Sequence, residues 1–392
     1  MHQSPTTPTR AIATPLVHAD TGAATSAAAP AERRRVLVLG ANGRLGRAAV
    51  TAFANAGWQV TAQVRRDTPA SDAARQLGVT VVHAAFADRL PAQRASSQDG
   101  AADATIVASA SAAAPVDALA SAARAADVIV HALNPDYTKW DSRMPAHTAQ
   151  VIDLALQGRA VLMLPGNVYN FGRDPAPVLT ESTPFVPNTP KARQRIALEA
   201  ALQQAGEAHG LRSIVVRAGN FLAPAGQGET WLEQGMGRRL GRGIFTRMSR
   251  RDVATAWAWL PDLAQVFVQV AERRHLLAQA GQPLHQVLHY AGHTLNDSEF
   301  QRAFERVLGT SLRTVQFPWW MLRLLAPVSP LFAALVEMRY LSELPHRLDD
   351  ARLQALLGHS APCTPIDHCL CAALAKHPVT NGRIDTAASP VA

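Results

Sequence analysis

Three glycines spaced three apart, Gly40, Gly43 and Gly46, join the apolar run Val36-Leu37-Val38-Leu39 to a helical pattern that opens at Arg44. A strand, a glycine turn and a helix in that order make a dinucleotide-binding turn. Gly40 lets the chain leave the strand sharply, Gly43 lets backbone amides approach a pyrophosphate, and Gly46 lets the helix pack close. The helix N-terminus adds partial positive charge. Asn42, Arg44 and Leu45 share this loop and are expected against the cofactor. Arg65 and Arg66 follow the next apolar run, where such a fold places the group that reads the adenosine ribose. A carboxylate there accepts a free 2′-hydroxyl, whereas arginine favours a 2′-phosphate, so the pair points to NADP, with NAD as the other option. A second basic group, Arg238, Arg239, Arg242, Arg247, Arg250 and Arg251, lies between Gly237 and Asp252 with no acid among its members. It could hold phosphate or carboxylate groups, or be a solvated loop.

These residues need a scaffold, and the periodicity supplies one. Residues 44–56 have helical spacing, and strands are expected at 58–64, 79–82, 127–132, 160–164 and 211–217, with helices near 115–125, 144–157 and 191–209. Near-continuous apolar strands alternating with helices predict a parallel sheet covered on both faces. From about residue 220 the chain turns rich in Gly and Arg, with helices expected near 262–278 and 297–308 and a strand near 286–290. Trp319 and Trp320 open an apolar run that would form a lid over the carboxyl edge of the sheet. The expected organisation is a disordered tail over 1–32, a dinucleotide-binding domain over 33–225 with an insertion at 89–113, an interleaved substrate and lid region over 226–375, and a flexible tail over 376–392.

Composition narrows the class. The chain has 392 residues, of which 48% are hydrophobic and 17% charged, enough for a full core. Its net charge of +8 would suit a nucleic acid, but the basic residues are dispersed and aromatic content is 6%, so no nucleic-acid partner is expected. No apolar stretch has the length of a membrane span or a secretory signal. Cys363, Cys369 and Cys371 form neither a CxxC pair nor a zinc spacing, even with His368 beside them. A reduced, cytoplasmic chain without a metal is therefore expected.

The order of the glycine turn, the strand ending His131-Ala132-Leu133, the segment Asn167-Val168-Tyr169, the loop Glu181-Ser182-Thr183-Pro184, the run Arg217-Ala218-Gly219-Asn220-Phe221 and the helix start Leu260-Pro261-Asp262-Leu263-Ala264 resembles the extended or atypical short-chain dehydrogenase/reductases. That superfamily includes nucleotide-sugar epimerases and dehydratases, and the likeness spans about residues 34–370. It implies an α/β class, doubly wound parallel sheet (Rossmann) with a smaller C-terminal substrate or lid subdomain. It also implies an oxidoreductase or epimerase-like activity on a small organic substrate, an anionic one included, with a homodimer allowed. By position, His131, Ala132 and Asn134 would border the nicotinamide, and Asn134, Trp140, Asn167, Asn220 and Arg247 the substrate. Hydride-transferring members carry a Ser or Thr after the fifth strand, then Tyr and Lys spaced YxxxK on the next helix. Here those positions fall on Pro165 or Gly166, on Lys191 and on Arg195. Arg195 could still hold the ribose, while Lys191, Tyr169 and Tyr137 are the candidate proton donors. The loss of the usual set leaves a second reading, a catalytically impaired NADP-binding sensor or scaffold.

Overall fold

The computed structural model describes residues 34–89, 110–226 and 232–375. The two expected tails, and residues 90–109 of the expected insertion, lie outside the described residues. The chain runs through β1 (Arg35–Leu39), α1 (Arg44–Asn55), β2 (Gln59–Val64), α2 (Pro69–Gln76), β3 (Thr80–His83), α3 (Ala110–Ala125), β4 (Val128–His131), α4 (Trp140–Gly158), β5 (Val161–Gly166), β6 (Val178–Leu179), α5 (Pro190–His209) and β7 (Ser213–Arg217). It continues through β8 (Asn220–Leu222), β9 (Ile244–Arg247), β10 (Thr255–Trp259), α6 (Leu260–Glu272), β11 (His285–His289), β12 (His293–Leu295), α7 (Asp297–Leu308), β13 (Arg313–Gln316), α8 (Trp319–Leu325), α9 (Pro330–Met338), β14 (Arg347–Leu348), α10 (Ala351–Leu357) and α11 (Ile366–Leu374).

Seven strands form one sheet in the order β11-β7-β5-β4-β1-β2-β3, and every pairing in it is parallel. Alternation along β1 shows how the sheet is covered. Val36 and Val38 join the core on one face, with Phe53 of α1 and Phe267 of α6, while Leu37 and Leu39 join the other, with Met144 of α4 and Leu202 of α5. This is the doubly wound α/β fold. Its order reverses between β1 and β4, and the crevice at their carboxyl ends is where such sheets take ligands. The chain leaves this unit after β7, builds smaller sheets from β8, β10 and β12 and from β9 and β13, and returns through β11 to the edge of the large sheet. A third core cluster, with Trp257, Phe300, Phe304 and Trp319, sits under the C-terminal elements.

Several elements depart from the sequence expectation for identifiable reasons. Helix α2 is too polar to show periodicity. Its signal is a capping box, in which the Thr68 side chain caps the helix, Ser71 caps back, and Pro69 takes the first helical position. Helix α4 starts at Trp140 rather than 144, with the buried Trp140 anchoring its first turn and Pro145 accommodated inside the helix in the second. Helix α6 ends at Glu272, not 278, with Arg273 and Arg274 donating to its last carbonyls. Residues 110–113, expected in the insertion, begin α3. The short strands β8, β9, β10 and β12 stand in a region expected as mainly loop.

Candidate functional site

At the carboxyl end of β1, Gly40 adopts φ +75°, and a Cβ there would lie 2.9 Å from the Ala132 carbonyl oxygen at the end of β4. Gly46 is required by packing alone, since its Cβ would stand 2.2 Å from the Gly40 oxygen. Gly43 is the N-cap of α1 and provides no side-chain cap, and the first turn holds no acid. The opening amides at Leu45 and Gly46 therefore face the crevice side of the helix without a competing carboxylate. Gln63, fully buried in β2, pins the turn by accepting from Gly40 N at 2.9 Å and donating to the Ala84 carbonyl.

Asn42 has a positioning role that its place in the motif did not reveal. Its Nδ2 donates to the Arg66 carbonyl at 2.9 Å and its Oδ1 accepts from Thr68 Oγ1 at 2.8 Å. The glycine turn and the loop after β2 are thereby tied together, which brings the exposed Arg65 and Arg66 beside it. The nearest acid in that loop, Asp67, is held by Arg75 at 2.5 Å and by His83 at 3.1 Å. The Arg75 contact keeps its carboxyl below the usual carboxylate range.

Past β4, the site takes shape around Trp140. His131 is buried and held neutral, its pKa pushed down to about 3 chiefly by burial, then by the Arg195 and His147 charges. Trp140 Nε1 donates to the Pro135 carbonyl at 2.9 Å, the Arg195 guanidinium lies 4.8 Å above its ring, and the Tyr169 ring centre is 6.4 Å away. Arg195 also reaches Asn134 Oδ1 at 3.5 Å. Arg195, Asn134, Trp140 and Tyr169 are thus brought together. The Tyr137 side chain lies outside the described residues.

At the end of β5, Gly166, one of the two positions where the resemblance expects a serine, has no room for a side chain. A Cβ on Gly166 would meet Val215 Cγ1 at 2.7 Å and the Arg217 backbone at 3.1 Å. Asn167, expected on the substrate, instead shapes the chain: its Oδ1 accepts from Tyr169 N at 3.1 Å and its carbonyl accepts from Arg217 at 2.6 Å. Arg217 is wholly buried and pairs with Glu199 of α5 at 2.7 Å, whose other oxygen accepts from Asn170 at 2.9 Å. Lys191, also buried, bonds Glu337 of α9 at 2.7 Å, and its backbone amide donates to the same carboxylate. Its Nζ is therefore engaged by a residue that no motif indicated.

Tyr169 also lines a pocket of about 50 Å³ between the small sheet of β8, β10 and β12 and helices α7, α8 and α9. Asn220 lines it, and its wall is mostly apolar, with Met248, Trp257, Phe300, Trp319 and Met338. Much of its polar capacity is already used: Thr255 accepts from Trp257 Nε1, and Arg339 pairs with Glu343. Asp297, at the start of α7, accepts from Ser249 N at 2.7 Å, and burial pushes its pKa up to about 6. Sequence reading missed Asp297, although the cap Asn296 with Glu299 marks a helix start beside it. Of the expected tryptophan lid only Trp319 reaches the pocket, while Trp320 is exposed. The other cluster arginines are surface residues, and Arg247 is taken up by Ser298 at 3.1 Å with Asp252 at 4.0 Å.

Comparison with known proteins places this geometry among relatives. The sequence profile of the NAD dependent epimerase/dehydratase family matches residues 36–277. No curated protein matches the sequence. Among solved structures the fold is similar to the UDP-glucose 4-epimerase of Brucella ovis in complex with NAD (TM-score 0.63, 16% identity, 87% of this chain and 97% of that one). It is also similar to the UDP-glucuronic acid 4-epimerase of Bacillus cereus in complex with NAD (0.61, 11%, 86% and 95%). The Bordetella bronchiseptica enzyme WbmH in complex with NAD+ matches as well (0.58, 17%, 88% and 98%).

Proposed function

Since the chain belongs to the NAD dependent epimerase/dehydratase family, we propose that it is a nicotinamide-dependent oxidoreductase or epimerase-like enzyme acting on a small organic substrate with an apolar body. The observation that carries this reading is the apolar pocket lined by Tyr169, whose ring centre lies 6.4 Å from that of Trp140 beneath Arg195. NADP is the proposed cofactor, because Arg65 and Arg66 are tethered beside the turn by Asn42 while Asp67 is occupied elsewhere.

In this reading the glycine turn and the α1 N-terminus hold the pyrophosphate, and Arg65 and Arg66 the 2′-phosphate. Arg195, stacked on Trp140 and beside Asn134, holds ribose hydroxyls. The bound cofactor supplies or accepts the hydride. Tyr169 keeps the proton for the substrate oxygen, a role Lys191 is poorly placed to take while it bonds Glu337. Apolar walls exclude water from the reacting carbon. A cytoplasmic location and a homodimer are part of the proposal.

The Lys191–Glu337 pair favours the alternative, a catalytically impaired NADP-binding sensor or scaffold, because it fastens α9 to the helix start that bears the usual catalytic tyrosine in such enzymes. Titration with NADPH and NADH, followed by nicotinamide fluorescence, tests the cofactor reading. Wild type should prefer NADPH, and Arg65→Ala/Arg66→Ala should lose that preference and bind the two alike. Failure of both nucleotides to bind would overturn it. Tyr169→Phe, with NADPH binding intact, separates the two functions: an enzyme loses about 10²–10⁴-fold in turnover, whereas a sensor shows no turnover in either form.

A further inference from the structure

Helices α8 and α9 carry an outer surface that the proposed chemistry does not use. Trp320 is 68% exposed, Leu324 72%, Val328 80% and Leu331 51%, with Met321 and Leu325 also exposed. Six of the ten large hydrophobic side chains exposed among the described residues therefore fall within twelve consecutive positions. The inner face of the same segment is apolar as well, with Trp319, Leu322, Ala334 and Met338 buried. A helix that is apolar on both sides normally has both sides covered.

The charge of the segment says what covers it. Residues 313–336 contain no Asp or Glu, and the charged residues there are Arg313 and Arg323, both exposed. The next acid, Glu337, is turned inward to Lys191, and Glu343 is bound to Arg339. The whole chain carries a net charge of +8. An apolar strip with a tryptophan at one end and an arginine within it, free of acids, matches the interface of an anionic bilayer. We propose that α8 and α9 dock this protein on the surface of a membrane containing anionic lipid, with Trp320, Leu324, Val328 and Leu331 entering the acyl boundary and Arg323 meeting headgroup phosphates. The placement suits an apolar substrate, because Trp319 of α8 and Leu335 and Met338 of α9 are also walls of the pocket. Docking itself is independent of the proposed chemistry.

Co-sedimentation of the full-length protein with vesicles of phosphatidylcholine, with and without phosphatidylglycerol, tests it. Wild type should sediment with the mixed vesicles and much less with phosphatidylcholine alone. Trp320→Ser/Leu324→Ser should bind the mixed vesicles at least about ten-fold more weakly. Arg323→Gln should lose about five-fold on the mixed vesicles and little on the neutral ones. The melting temperature and NADPH binding of these surface variants should match wild type, which separates docking from folding and from the cofactor reading. Absence of sedimentation with either vesicle overturns the proposal. So does sedimentation velocity showing that wild type is a dimer which Trp320→Ser/Leu324→Ser dissociates, since that assigns the face to a second copy of the chain.

Discussion

Arg217 is the residue on which the site's geometry leans most heavily. Its guanidinium spans Glu199 on α5 and the Asn167 carbonyl after β5, and lies 5.3 Å from the Phe171 ring and 5.2 Å from that of Phe185. Arg217→Met would leave the Glu199 carboxylate buried without its partner, so a loss of about 3–5 kcal/mol is expected in denaturant unfolding. The double variant Arg217→Met/Glu199→Gln should recover a good part of that loss, because the uncompensated charge is gone. Lack of any recovery would show that the packing of the guanidinium on the rings, not the charge pair, is what matters. The sequence marked Arg217 as part of a family-like segment, yet nothing in the spacing paired it with Glu199 eighteen residues earlier. Tyr169, by contrast, was identified by its motif, and the fold places it on the pocket wall.

For the elements, the glycine turn gives the sharpest expectation. Gly46→Ala forces a methyl against the Gly40 oxygen and must push α1 off the sheet, whereas the Cβ of Gly43→Ala would sit at 3.2 Å from that oxygen with ordinary φ. Gly46→Ala should therefore cost about 1–3 kcal/mol or more and abolish NADPH binding. Gly43→Ala should fold nearly normally and weaken NADPH through lost backbone approach. Equal melting temperatures for the two variants would contradict this packing. The strands of the large sheet were legible because burial leaves near-continuous apolar runs, and helices α1 and α6 because their apolar positions repeat with a 3.6-residue period. Helix α2 and strands β8, β9, β10 and β12 were not, since a polar capped helix and short strands lack enough residues to display a period.

The whole molecule should be sensitive to acid. His131 and His289 are buried and neutral, with pKa values pushed down to about 3 and about 4 by burial, aided by Arg195 and Arg217 respectively. An unfolded histidine takes a proton near pH 6.5, so below that point the unfolded chain binds more protons than the folded one and stability falls with pH. Each site contributes a loss of about 2 kcal/mol by pH 5. Asp297 works in the opposite sense. Its pKa, raised to about 6 by burial, means that the folded state keeps a proton which the unfolded state releases, so this group stabilises as pH drops toward 4. The histidines outweigh it, and the denaturation midpoint should be lower at pH 5 than at pH 7. His289→Asn should reduce that difference and Asp297→Asn should enlarge it. A midpoint independent of pH across this range would refute the assignment of neutral buried histidines.

Local pattern alone determined the alternating strand and helix order, the glycine turn and the basic residues after β2. Each of these follows from steric freedom, periodicity or charge over a few neighbouring positions. Tertiary structure decided everything that depends on residues far apart in the chain. It tied Asn42 to the Arg66 loop, gave Lys191 to Glu337, packed Gly166 against Val215, and set Tyr169 beside an apolar pocket built in part from α7, α8 and α9. It also turned Trp319 inward and Trp320 outward, because adjacent residues on a helix point about 100° apart and only one can face the core.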